Sequence, residues 1–169
     1  MVDIQQMQER DTREPMTGTV KPIPEGYHSV TPSLIIKNAA AAIEFYKTAF
    51  GAIELFRMSQ PDGRVGHAEI KIGDSPIMLA DEFPELNYVS PQTLGGSPVS
   101  LMIYVADVDV VFKRAIDAGA LERKAVQDEF YGDRTGSLID PFGHCWYIAT
   151  HKEDVTPEEM EKRAKSAHA

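Results

Sequence analysis

The sequence predicts an α+β fold built from two tandem βαβββ units, and three observations carry that prediction. Asp140-Pro141-Phe142-Gly143 is a tight turn that opens into the apolar run His144–Ala149. Gly73-Asp74-Ser75-Pro76 followed by Ile77–Ala80 repeats that shape at lower fidelity. A shift of about 69 residues also superposes the helix and strand patterns that precede the two turns, a period too long for a solenoid and right for two fused modules. A duplicated chain of this kind places its working surface between the copies.

The elements follow in order. Residues 1–25 are polar and aperiodic, which points to a flexible arm or to an arm that wraps a partner subunit. From Tyr27 the pattern sharpens, and His28–Ile36 alternates as a strand. Asn38 is a helix N-cap and Gly51 a stop, and Ala42, Ile43, Tyr46, Ala49 and Phe50 form one apolar stripe between them. Strands are expected over Ala52–Ser59, Val65–Ile72 and Pro76–Ala80, with Pro61-Asp62-Gly63 turning the first into the second. Residues 26–82 make module one, and residues 83–96 a linker punctuated by Pro84, Pro91 and Gly95.

Module two, residues 97–151, repeats the order. Val99–Val105 is its first strand, and Asp107–Ala118 its helix, with a buried stripe of Val110, Val111, Phe112, Ala115 and Ile116. Glu122–Val126, Thr135–Ile139 and the run after the Asp140 turn complete the sheet. Trp146 is expected to pack on the second helix. In residues 152–169, Thr156, Pro157 and Glu159 form a capping box that opens a charged helix, solvated or docked on a subunit.

Composition narrows the function. A chain of 169 residues, 43% hydrophobic, can bury a substantial core. A net charge of -9 argues against nucleic acid as a partner. No run reaches the length of a membrane span, and one cysteine, Cys145, rules out an internal disulfide. A soluble cytoplasmic protein is the default expectation.

Leu34-Ile35-Ile36-Lys37-Asn38, Ile43-Glu44-Phe45-Tyr46, Phe50-Gly51, Asp140-Pro141-Phe142-Gly143-His144 and Trp146–His151 resemble the vicinal oxygen chelate superfamily. This is the glyoxalase and bleomycin-resistance fold, and the resemblance is to its PhnB-like branch. It implies a mixed sheet curled around a cavity, with each module supplying half. It also implies a homodimer, with modules side by side in one chain or exchanged between chains. A divalent metal in such a fold is typically held from the first and last strands of each module, positions that the resemblance carries to Thr31, Met78, Ser100 and Tyr147. Hydroxyls and a thioether are poor ligands for a hard ion, so no metal cofactor is expected. A divalent metal at another ligand set, His67, Glu69 and Asp81 among them, is the alternative.

The leading expectation is therefore a binding protein for a small molecule. Met78, Met102, Tyr104 and Tyr147 would supply apolar and aromatic walls, and Thr31, Ser33 and Ser100 would orient the ligand. Arg134, beside Phe130 and Tyr131, is a candidate for holding an anionic group, against the simpler reading of a surface ion pair. The rival expectation is a lyase, isomerase or dioxygenase-type enzyme. It would use either a non-standard metal site or His67 and Glu69, which share one strand face, as an acid–base pair. That face lines the cavity or meets solvent. His28, His144 and His151 sit at element ends and read as surface or turn residues. A subunit whose dimer surface or terminal arm is the working part is a third class.

Overall fold

The computed structural model of the chain describes residues 20–167. Module one comprises β1 (Ser33–Ile36), α1 (Ala39–Phe50), β2 (Ile53–Ser59), β3 (Val65–Ile72) and β4 (Ser75–Asp81). The linker holds a 3₁₀ turn at Pro84–Leu86 and a single-turn helix, α2 (Pro91–Leu94). Module two comprises β5 (Ser100–Tyr104), α3 (Val108–Asp117), β6 (Leu121–Asp128), β7 (Asp133–Ile139) and β8 (Cys145–His151), and α4 (Pro157–Ala167) follows it.

Each module forms its own 4-stranded mixed sheet, in the orders β1-β4-β3-β2 and β5-β8-β7-β6. The first strand of each module runs parallel to the last, which the helical crossover between them allows. The βαβββ order expected from the sequence is present twice, and the two sheets do not close on one another. Register shifts in β2 and β6 bend both outer strands.

The same local device starts both helices. The Asp81 carboxylate accepts from the Ala39 N–H at 2.8 Å and the Val65 N–H at 2.6 Å, tying the end of β4 to the heads of α1 and β3. In module two the Thr150 hydroxyl accepts from the Val108 N–H at 2.8 Å and donates to the Val105 carbonyl at 2.9 Å. Asn38 and Asp107 add side-chain caps to the two helices as expected, and Gly51 takes the left-handed conformation that stops α1.

One hydrophobic cluster spans both modules, and α1 packs against α3. Trp146 is fully buried, but its aromatic neighbours are Phe50 and Tyr46 of the first helix, at centroid distances of 4.8 and 5.4 Å. The reason is Asp140, whose Oδ2 accepts from the Tyr46 hydroxyl at 2.7 Å and from Trp146 Nε1 at 2.9 Å. Its Oδ1 accepts from the Phe142 and His144 amides, so one buried carboxylate shapes the turn and joins the modules.

Two details depart from the sequence expectations, and a third was not among them. The first strand begins at Ser33 rather than His28, because Pro32 has no N–H and the ladder starts with its carbonyl, which accepts from Met78. Val110 lies outside the buried stripe of α3, at 58% exposure; Val108, Phe112 and Ala115 are the buried residues. Gly136 lets α3 approach β7: a Cβ there would stand 2.8 Å from Phe112 and from Val126. The Thr156 hydroxyl accepts from the Glu159 amide at 3.3 Å, one half of the expected capping box, while the Glu159 carboxylate turns to Arg163 and Lys162. Residues 1–19 of the expected arm lie outside the described residues.

Candidate functional site

Alternation along the strands gives each sheet one face against the helices and one open face. On the open face of module one, Ser33 lies beside Met78, Met78 beside Glu69, and Glu69 beside Phe56. Ile35 beside Ala80, and His67 beside Met58, extend the same face. Glu69 is the polar centre. Its Oε2 accepts a short hydrogen bond from the Tyr27 hydroxyl, and its Oε1 lies 3.1 Å from His67 Nε2. These hydrogen bonds, Tyr27 first, hold the Glu69 carboxyl below the usual range and raise the Tyr27 phenol. The Phe56 ring stands 6.3 Å from the imidazole.

The open face of module two has a different polar centre. Met102, Tyr147, Ser137 and Lys124 form one cross-strand row, and Tyr104, Ala149, Thr135 and Gln127 form the next. Beyond them Asp133 pairs with His151. Tyr104 reaches across β8 to donate to Asp133 Oδ2 at 2.9 Å, and His151 Nδ1 lies 2.7 Å from Oδ1. The other ring nitrogen, Nε2, meets Asp154 at 3.1 Å. Hydrogen bonds to Asp133 and then Asp154 raise the His151 pKa.

The structure thus gathers the sequence candidates into two groups on two sheets. His67, Glu69, Ser33 and Met78 share the first open face; Ser100, Met102, Tyr104 and Tyr147 share the second. Thr31 lies ahead of β1, its hydroxyl 3.5 Å from the His28 carbonyl. Arg134 faces α3 with Gly136. It makes a bidentate pair with Asp109, both bonds at 2.8 Å, and reaches Asp128 at 3.2 Å, so it is separated from the other candidates. Two grooves run along the seam between modules. One of about 690 Å³ is lined by Met102 and Tyr104, and one of about 320 Å³ by Ser33 and His144; neither is lined by His67 or Glu69.

Sequence reasoning missed Tyr27, Asp133 and His151 as site members. Tyr27 precedes every strand, and only the fold brings it to Glu69. The Asp133–His151 pair follows from an antiparallel register that no local motif encodes.

The parallel registers show which side chains stand opposite one another at the expected metal positions. Ser33 lies opposite Met78 and Met102 opposite Tyr147, in each module two residues beyond the expected Thr31 and Ser100. Two hydroxyls and two thioethers do not fit a hard divalent ion. The members of the displaced set do not converge: Asp81 gives its carboxylate to the Ala39 and Val65 amides, while His67 lies on the open face. Among the described residues, no group of three or more His, Cys, Asp or Glu side chains is placed to hold a metal ion.

Residues 27–148 match the family model described as Glyoxalase/Bleomycin resistance protein/Dioxygenase superfamily. The chain belongs to this superfamily. An uncharacterized protein of Mycobacterium tuberculosis is 39% identical over 141 residues, covering 82% of this chain and 83% of that protein. The crystal structure of TioX from Micromonospora sp. ML1 is similar at 25% identity and a TM-score of 0.57, covering 76% of this chain and 100% of the other. A PhnB protein from Bacillus cereus shares the fold at 19% identity and a TM-score of 0.59, covering 73% and 99%. No helix among the described residues is long and apolar enough to cross a membrane.

Proposed function

We propose that this superfamily member binds a small molecule on the open sheet faces without a metal ion, and that a second copy of the chain completes the site. One observation carries the reading. Both open faces combine a fixed polar cluster with large apolar side chains that the described residues leave uncovered: Phe56 at 46%, Met58 at 55%, Met102 at 45% and Tyr147 at 37% exposure. Contiguous exposed apolar surface around a few oriented polar groups is the ordinary make-up of a ligand or partner surface. Ser33 and Ser100 orient the ligand and Met78, Met102, Tyr104 and Tyr147 wall it. A homodimer, with modules exchanged between chains, would set one module's open face against the other's. The protein acts in the cytoplasm, where the buried, free Cys145 thiol stays reduced.

Fragment screening by ligand-observed NMR on untagged, chelator-free protein tests this reading. Apolar fragments with one polar group are expected to bind, and Phe56→Asp to abolish binding. A stoichiometric divalent ion found by mass spectrometry in the same preparation would overturn the metal-free part.

The 3.1 Å approach of His67 to Glu69 favours a second reading, acid–base catalysis with His67 as the proton-transfer group and Glu69 as its orienting partner. His67→Ala would then bind ligand but lose turnover, and unchanged turnover would sink the idea.

A further inference from the structure

We propose that His151, held by Asp133, which Tyr104 bonds in turn, is an anchoring site for the carboxylate of a small ligand, and that Asp154 occupies this site in the free protein. The proposal rests on the reading that the open faces take a small molecule, and it names the ligand chemistry on module two.

The geometry is that of a built anchor with a loosely held occupant. Asp133 is 6% exposed at the head of β7, and each of its oxygens has one side-chain partner, Tyr104 on Oδ2 and His151 on Oδ1. A buried carboxylate on Nδ1 fixes the ring and favours its charged form, leaving Nε2 as the outward donor. Among the described residues only Asp154 meets that nitrogen, and its side chain is fully exposed, so the contact is weak and readily exchanged. The backbone beside it is fixed: the Gly132 carbonyl accepts from the Lys152 and Glu153 amides, and the Glu153 carboxylate is engaged bidentately by Arg163. Asp154 is therefore the one group here that can leave without disturbing the fold.

The surroundings suit the body of such a ligand. Tyr147 shares the open face of β8 with His151, separated by small Ala149, while Tyr104 and Met102 flank them on β5. Tyr104, whose hydroxyl bonds the carboxylate that holds the imidazole, is the aromatic surface nearest this donor, with Tyr147 four residues back along β8. Thr135, two residues along β7 from Asp133 on the same face, has a buried hydroxyl with no partner among the described residues, an unused hydrogen-bonding group in the floor of this face.

Benzoate is the probe, and the histidine ring resonances of the full chain are the readout. Titration is expected to shift His151. Asp154→Asn should tighten binding roughly two- to five-fold, the range of one exposed ion pair. His151→Gln should abolish binding, and benzyl alcohol, which lacks the carboxylate, should not respond to either variant. Affinity should fall as pH rises through the raised His151 pKa. Equal binding by wild type and His151→Gln would overturn the proposal, as would no benzoate binding to Asp154→Asn at millimolar concentration. Sensitivity to His67→Gln alone would place the anchor on module one, overturning this proposal while leaving the binding function intact.

Discussion

The two modules share a plan and differ in what they do with it. Both tie the end of the last strand to the first amide of the helix, through Asp81 in one and Thr150 in the other. Their turns before the last strand diverge. Asp74 is exposed and bonds only its neighbour Ser75, whereas Asp140 is 2% exposed and bonds Tyr46, Trp146 and two amides. Module two therefore receives the helix of module one at its turn, whereas its own helix is tied to module one by a different device, Arg114 Nε donating to the Ala49 carbonyl at 2.8 Å. The open faces diverge as well: Glu69 lies beside Met78, while Ser137 lies beside Tyr147. Each face still carries a tyrosine–carboxylate–histidine cluster, at mid-sheet in module one and at the strand ends in module two. Duplication kept the helix start; it left the joint and the face free to change.

The joint should be the most sensitive point. Asp140→Ala leaves four donors, three of them buried, without their acceptor and is expected to cost about 3–5 kcal/mol in chemical denaturation. Asp81→Ala, which strands two, should cost about 1–3 kcal/mol. Equal losses would erase the asymmetry between modules. Gly136→Ala, pressed against Phe112 and Val126, should cost about 1–3 kcal/mol through overpacking.

A smaller effect separates two histidines of module two. Burial pushes the His144 pKa below its ordinary value of 6.5, so unfolding takes up a proton as the pH falls below that value. Its contribution to stability is present above pH 6.5 and is lost as pH falls toward the lowered folded value. His151 behaves oppositely, because its pKa is raised: its contribution is full below 6.5 and disappears as pH rises through the folded value. Denaturation midpoints against pH should flatten on the acid side in His144→Gln and on the alkaline side in His151→Gln. The same profile in both variants would contradict the two environments.

Much of the fold was legible because it is periodic. The helix stripes, Gly51, Asn38 and the paired turns are local signals, and they placed all eight strands in the right order. What the sequence hid was register. Thr31 and Ser100 stood where the family resemblance put first-strand ligands, and the parallel pairing puts Ser33 and Met102 opposite Met78 and Tyr147. Trp146 carried no mark of which helix it would meet, since its partner Tyr46 lies in the other module. Arg134 sits beside Asp133 in the chain yet on the opposite face, because neighbouring strand residues point apart. The open-face positions of His67 and Glu69 were readable from alternation; Tyr27 and His151 needed the folded chain.

Methionine-methyl NMR during fragment titration tests the central claim most directly, since Met58 and Met78 report on module one and Met102 on module two. A bound fragment should shift methyls of both modules together in a preparation that sediments as a dimer. Shifts confined to one module, or a monomer that binds equally well, would contradict a site completed by a second copy.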